Sequence, residues 1–154
     1  RTFHFSKIRN RGGIYADVTI NKTLIRFFNL HLILAKPAWR LKEFEIAMAK
    51  YDLTQPTVIC GDLNVLEKPH ITTLNWILGG KVSDFIHYKR ERAHAEELFT
   101  KYKLQNALRG KVTHLISLSQ LDHILASRQF SIQKTEVITD RFGSDHHPIF
   151  IELI

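Results

Sequence analysis

The sequence predicts an α/β or α+β fold, a sheet sandwich covered by helices, and three observations carry that reading. Segments of period-two and helical hydrophobicity follow one another in the order strand, strand, helix, strand, helix, helix, strand, strand, strand. The 154 residues hold no repeat, no low-complexity tract and no Pro/Gly-rich linker, so residues 1–154 are read as one domain. Hydrophobic residues make up 44% of the chain and ten Phe are spread along it, enough apolar side chain for a core and against wholesale disorder.

The elements follow in order. Ile14, Ala16, Val18 and Ile20 alternate with Tyr15, Asp17 and Thr19, the period of a half-buried strand. Asn21-Lys22 then turns the chain into a second strand over Leu24–Leu32, and the pair reads as a hairpin. Pro37 suits the first turn of a helix in which Leu41, Phe44, Met48 and Tyr51 keep helical spacing to about residue 51. Gln55-Pro56 breaks the chain, and Thr57-Val58-Ile59-Cys60 is a short apolar run typical of a strand buried on both faces. Pro69 opens another helix with Ile71, Leu74, Ile77 and Leu78 on one stripe, stopped by Gly79-Gly80. A third helix is expected across 91–103, with Leu98, Phe99 and Tyr102 inward. Strands return at Leu121–Ala126, Phe130–Ile138 and His147–Leu153.

Lys+Arg 22 against Asp+Glu 15 gives a formal charge of +7, a surplus that serves solubility or draws the protein to a polyanion through counterion release. The bases are clustered. Lys89, Arg90 and Arg92 sit among Glu91, Glu96 and Glu97 and read as a mixed, solvated helix face, while Arg109 and Lys111 form a smaller group. Lys7, Arg9 and Arg11 have no acidic neighbour until Asp17, which makes them the better candidates for an anionic ligand. The single Cys60 excludes an intramolecular disulfide framework and a cysteine-based zinc cluster, and leaves the compartment open. No run approaches the ~18 apolar residues of a membrane span. Arg1-Thr2-Phe3-His4-Phe5 carries neither an initiator Met nor signal-peptide architecture, so the chain is read as cut from something longer or processed.

Four segments hold residues suited to chemistry. Gly61-Asp62-Leu63-Asn64 follows the buried strand at its carboxyl end, where open α/β sheets place ligands. Side chains at i and i+2 of an extended segment face the same way, so Asp62 and Asn64 can converge on a water beside a phosphate; a turn in which both satisfy backbone groups is the competing reading. In Gly143-Ser144-Asp145-His146-His147-Pro148 an imidazole suited to acid–base work adjoins a carboxylate that can orient it or bind a hard cation. The alternatives there are a polar loop or a zinc site. Zinc is disfavoured, because neighbouring histidines in such a turn point apart and no third ligand has obvious spacing. Asp122, in Leu121-Asp122-His123-Ile124-Leu125, is a carboxylate in an apolar strand and needs a partner, for which a histidine is well suited. His31, in Asn29-Leu30-His31-Leu32, is a polar ring in an equally apolar strand.

Taken together and in this order, Asn-x-His-Leu, Gly-Asp-x-Asn, Leu-Asp-x-Ile-Leu and Ser-Asp-His-x-Pro-Ile resemble the endonuclease/exonuclease/phosphatase superfamily, from about Phe5-Ser6-Lys7 to Ile154. The group includes pancreatic-type deoxyribonucleases, abasic-site endonucleases, tyrosyl-DNA phosphodiesterases, deadenylases, sphingomyelinases and inositol-polyphosphate phosphatases. The resemblance implies a two-sheet sandwich flanked by helices, an αββα four-layer arrangement, with a phosphoester hydrolase site at one rim that uses Mg²⁺ or Mn²⁺. It also implies that Asp62 positions or deprotonates the attacking water and that Asn64 hydrogen-bonds the nucleophile or the phosphoryl oxygens. His146 would contact the phosphate and handle the proton, with Asp122 as its orienting carboxylate. His31 matches a histidine that many members aim at the scissile phosphate, although abasic-site endonucleases differ there, and Asp145, Asp62 and Asn64 would lie at the metal.

The departures matter as well. Members of the superfamily begin with strands carrying an Asn and a Glu, the latter the principal metal ligand, and this chain starts after both; Glu43 and Glu45 fall in the helix after His31 and do not replace it. The chain is therefore expected to be an N-terminally incomplete, C-terminal part of such a domain, with weak Mg²⁺ binding of its own and an exposed apolar sheet edge or face that a missing N-terminal segment or a partner would cover. The basic balance leans toward DNA or RNA as partner, with inositol phosphates and phospholipid headgroups as the other phosphoesters. A non-catalytic nucleic-acid-binding or interaction module is the rival reading, and Asp62, Asn64, Asp122, Asp145 and His146 argue against it, since such a module has no physical need for all five. If the motifs form one site, these five and His31 gather at one rim, with Asp122 and His146 in direct hydrogen-bond reach.

Overall fold

The computed structural model describes residues 1–6, 11–34, 36–68, 73, 76–77 and 84–154, without the side chains of Ser6, Arg11 and residues 84–89. Lys7, Arg9 and most of the helix expected from Pro69 lie outside the described residues, and Arg11 is placed by its backbone alone. The described elements run β1 (Thr2–Ser6), β2 (Arg11–Ile20), β3 (Thr23–His31), α1 (Pro37–Met48), β4 (Thr57–Asp62), α2 (Asp84–Lys101), β5 (Leu104–Asn106), β6 (Asp122–Ser127), β7 (Ile132–Val137) and β8 (Ile149–Leu153). They form a six-stranded sheet in the order β1-β2-β3-β4-β6-β5 and a two-stranded sheet, β7-β8.

The expected hairpin is β2–β3, paired from Gly13↔Leu30 to Ile20↔Thr23. Its turn places Asn21 and Lys22 at φ 49° and 67°, the two left-handed residues of a two-residue turn whose twist matches the strands it joins. From β3 the chain crosses through α1 and returns as β4, parallel to β3. Pro37 stands in the first turn of α1 as its fixed φ favours. The helix closes at Met48 instead of 51, because the Lys50 and Tyr51 amides bond to Ala47 and Met48 in tightened i→i+3 turns. The second described helix starts at Asp84, seven residues before the expected start at 91, and 84–90 contain no Gly or Pro to delay it. Strands β1 and β5 had no counterpart in the sequence reading; β5 is three residues long, too short to display a period.

Helices α1 and α2 cover one face of the large sheet, where Phe28, Leu30, Phe44, Met48, Ile59, Phe99 and Leu125 close the main core. On the other face Val58, Ile124 and Phe27 meet Val137, Ile149 and Ile151 of the small sheet. Helix layer, six-stranded sheet and two-stranded sheet thus make the helix-flanked sandwich among the described residues. The small sheet stops short of β2, where Ile14, Val18 and Ile20, on the same face as Phe27, remain 42–51% exposed.

One expectation needs correction. The cluster around Glu91 and Arg92 is not a solvated face: Glu91 is buried against the fully buried Arg40, whose Nε donates to Glu91 Oε1 over 2.6 Å. Arg40 also donates to the carbonyls of Ile33, at 2.7 Å, and of Leu34, while Glu43 accepts the Ile33 amide at 2.7 Å, so the loop leaving β3 is tied down from both sides. Burial pushes the Glu91 carboxyl up, opposed by Arg40. On the next position of α2, Arg92 pairs with Glu67 beyond β4, donates to the Gln120 carbonyl at 3.0 Å and reaches Nε2 of His123 at 2.8 Å. His123 Nδ1 in turn donates to the Leu121 carbonyl at 2.9 Å, so the ring is neutral; full burial, then the charge of Arg92, lowers its pKa to about 3. A hydrophobic pattern does not reveal such pairs, because a buried ion pair and an exposed one read alike in sequence.

Removing one partner of the Arg40–Glu91 pair leaves a buried charge uncompensated. Arg40→Ala is therefore expected to destabilise the chain by about 3–5 kcal/mol in urea unfolding, whereas Arg40→Met with Glu91→Leu should cost far less.

Candidate active site

The site is built where β3, β4 and β6 end side by side. Register places His31 opposite Asp62 and Asp62 opposite Asp122, so three polar side chains form one row across adjacent strands on one face. Gly61 makes the row attainable: its φ is +130° and a Cβ there would sit 2.0 Å from the Leu30 carbonyl oxygen, so only glycine lets β4 lie this close to β3. Beyond the strand ends the ladder continues through the Leu32 amide on the Asp62 carbonyl, at 3.0 Å, and the Leu63 amide on that of Leu121, at 2.9 Å.

Asp62 is largely buried. Its Oδ1 accepts the Asn64 backbone amide at 2.9 Å and its Oδ2 lies 3.8 Å from His31 Nε2. Burial pushes its carboxyl pKa up and the charge of Asp122 adds to this, against the Asn64 amide, His31 and His146. Asn64 is 4% exposed, takes φ 54°, and its carboxamide donates to the Leu32 carbonyl at 2.9 Å, stapling the two loops that leave β3 and β4. For Asn64 the competing reading holds, because its positive φ breaks the extended geometry and its carboxamide satisfies a backbone carbonyl, whereas Asp62 both accepts a backbone amide and stands in the row. Beside His31, at one end of the row, lies an open cleft of about 360 Å³ lined by Thr2, His4, Ile14 and Asn29.

His146 Nδ1 donates to Asp122 Oδ2 over 2.8 Å, within the reach expected for that pair. Burial pulls the ring's pKa down but is outweighed by the hydrogen bond and charge of Asp122, with Asp62 and Asp145 adding to it, so the net direction is up. His147 turns the other way, its Nδ1 on the Ile138 carbonyl at 3.0 Å. Asp145 is exposed, and its Oδ2 lies 3.2 Å from His114 Nε2, a hydrogen bond that lowers its pKa. Register and hydrogen bonds thus link His31, Asp62, Asp122 and His146 directly and Asp145 through His114, while Asn64 joins by its backbone amide, its carboxamide turned to Leu32. Lys7 and Arg9, and the side chain of Arg11, lie outside the described residues.

Two residues of the cluster escaped the sequence reading. Thr113 is fully buried, and its hydroxyl accepts the amides of Leu121 and Asp122 at 3.0 and 2.9 Å while its carbonyl accepts that of His147 at 2.8 Å. His114 bridges to His146 through the backbone and meets its ring edge-on at 4.6 Å. Both stand in a loop without hydrophobic period, and a lone Thr-His pair there carries no signal.

A hard divalent cation suits this donor set at Asp62, a buried carboxylate crowded by Asp122 that holds its proton more tightly than usual; positive charge relieves that repulsion. Asp145 offers a second, exposed carboxylate.

A helix-backed sheet sandwich with a carboxylate–histidine pair and a second carboxylate at its strand ends defines a class of hydrolase folds, and the family model for the Endonuclease/Exonuclease/phosphatase family matches residues 3–146. The chain belongs to that family. Among solved structures it is similar to the inositol polyphosphate 5-phosphatase domain of SPsynaptojanin in complex with inositol (1,4)-bisphosphate and calcium ion, at 14% identity and TM-score 0.68 over 98% of this chain and 52% of that one. It is also similar to a humanized TDP2 from D. rerio, at 14% identity and TM-score 0.64 over 100% and 65%, and to a mannosyl-6-phosphatase from Bacteroides thetaiotaomicron VPI-5482, at 18% identity and TM-score 0.60 over 94% and 57%. The chain thus spans between 52% and 65% of the length of these three. A comparison with curated proteins gives no significant match.

The raised pKa of His146 has a pH consequence. The ionised pair stabilises the fold fully below the ring's unfolded pKa of about 6.5 and that contribution is lost as pH rises through the higher folded value. Asp122→Asn should lower the His146 pKa followed by NMR and remove this part of the pH dependence of unfolding.

Proposed function

We propose that the chain carries most of the active site of a divalent-metal-dependent phosphoester hydrolase that cleaves phosphodiesters of DNA or RNA by attack of an activated water on phosphorus. The observation that carries the reading is the His31–Asp62–Asp122 row closed by the 2.8 Å bond from His146 to Asp122. In this reading Asp62 takes the proton of the attacking water, a role its raised proton affinity favours. Asn64 orients the water or a phosphoryl oxygen. His146, held by Asp122 through Nδ1, faces the phosphate with Nε2 and handles the proton, and His31 meets the phosphate from the opposite end of the row. Lys7, Arg9 and Arg11 would bind flanking phosphates, and the net charge of +7 favours a polyanion.

Asp62, Asn64 and Asp145, with a Glu supplied by a segment preceding Arg1, would hold Mg²⁺ or Mn²⁺. When bound, the ion supplies charge neutralisation at the phosphoryl oxygens.

The test is hydrolysis of bis-p-nitrophenyl phosphate, plasmid DNA and RNA with Mg²⁺ or Mn²⁺, by the 154-residue chain and by the chain extended with its natural upstream sequence. Little turnover is expected from the first and clear turnover from the second; robust Mg²⁺-dependent hydrolysis by the shorter chain would contradict the proposed missing ligand. In the extended protein His146→Ala should lower kcat at least ~10²-fold, the usual contribution of a positioned acid or base. Asp122→Asn acts through the same ring, so the double variant should be little worse than either single one, and multiplicative losses would break the pairing.

A further inference from the structure

The Asp-His-His segment did not suggest zinc, since its two histidines diverge, but the fold brings a third imidazole to it. We propose that His114, Asp145 and His146 form a binding site for one transition-metal ion of the Zn²⁺ class, which shares Asp145 with the oxygen-bound Mg²⁺ or Mn²⁺ of the hydrolytic reading and differs from it by its two imidazole ligands.

Each of the three offers a ligand atom, and these atoms lie within 4.8 Å of one another. His114 Nε2 and Asp145 Oδ2 are 3.2 Å apart. Two ligands at Zn²⁺ distances of about 2.0–2.1 Å and a tetrahedral angle would be separated by about 3.3 Å, so this pair is already spaced for one ion. The backbone fixes the set: His114 bridges to His146, and the Leu115 amide donates to the Asp145 carbonyl at 3.0 Å. His114 is 9% exposed while the Asp145 side chain is 59% exposed, which leaves room for water to complete the coordination and a path for the ion.

Outer partners are present for both rings. His146 gives its Nδ1–H to Asp122, the arrangement of carboxylate, histidine and metal in which the opposite nitrogen becomes the ligand. His114 Nδ1 lies 2.9 Å from the Ser117 hydroxyl and accepts the Ser117 amide at 3.1 Å, so without metal its proton sits on Nε2 and is shared with Asp145. Loading moves the His114 proton from Nε2 to Nδ1 as the metal–nitrogen bond forms; the Ser117 hydroxyl oxygen then accepts it, and the hydrogen bond from the Ser117 amide to Nδ1 is given up. Two imidazoles with one carboxylate favour Zn²⁺, Co²⁺ or Ni²⁺ over Mg²⁺, which prefers oxygen and keeps its water. Occupancy also claims His146 Nε2, so the ion would inhibit phosphoester hydrolysis, a consequence that rests on the proposed function.

The experiment is competition of the 154-residue chain with a chromophoric chelator for Zn²⁺, with Co²⁺ absorption as a second readout. One equivalent per chain is expected, not displaced by millimolar Mg²⁺, with affinity lowered at least ~10-fold by His114→Phe and by Asp145→Asn. Asp145 is exposed, so its variant reports even if His114→Phe disturbs folding. Wild-type and Asp145→Asn chains that bind Zn²⁺ equally, binding of less than one equivalent, or displacement by Mg²⁺ would overturn the site. No substrate enters the titration, so its failure overturns the metal site alone, and failure of the hydrolysis assays overturns the hydrolase reading alone.

Discussion

Two carboxylates, Asp62 and Asp122, face each other across adjacent antiparallel strands at a half-buried sheet end. Like charges directly opposite in a sheet are destabilising, and burial sharpens the repulsion. The surrounding polar structure reads as compensation: the Asn64 amide on Asp62, His31 on one flank and His146 on the other. Burial, with the charge of Asp122 added to it, raises the proton affinity of Asp62, and the hydrogen bond and charge of Asp122 outweigh burial to raise that of His146, so two groups that hold a proton more tightly than usual flank one carboxylate.

The loops that extend this row are held in place by the buried Arg40 and the half-buried Arg92. Arg40 fixes the loop after β3 through the carbonyls of Ile33 and Leu34, and Glu91 of α2 pairs with it. Arg92, the next residue on α2, fixes the loop after β4 through Glu67 and the entry to β6 through the Gln120 carbonyl. Thr113 pins β6 to the segment carrying His147. Helix α2 is thus linked to the three strand ends by hydrogen bonds, while Phe99 and Ala95 pack it into the main core.

Much of this was legible in the sequence. The β2–β3 hairpin, α1, β4 and the last three strands show their periods, and Asp62, Asn64, Asp122 and His146 announce themselves as polar residues where apolar strands end. What was not legible has physical reasons. Strand β5 is too short to show a period, and the start of α2 lies in a stretch with neither a breaker nor a clear stripe. Glu91 and Arg92 read as solvated because sequence does not reveal that each has a long-range partner. Thr113 and His114 contribute through contacts to residues far along the chain, and loops give no pattern from which to infer those contacts.

The claim that this row activates water against phosphorus is most directly tested by isotope tracing. The proposed hydrolase, with any segment that precedes Arg1 in the full protein, is allowed to turn over a phosphodiester in ¹⁸O-enriched water, and the products are read by mass spectrometry. The account predicts one ¹⁸O in the phosphate product and none in the released alcohol. Label in the alcohol, or no water-dependent cleavage at all, would contradict it.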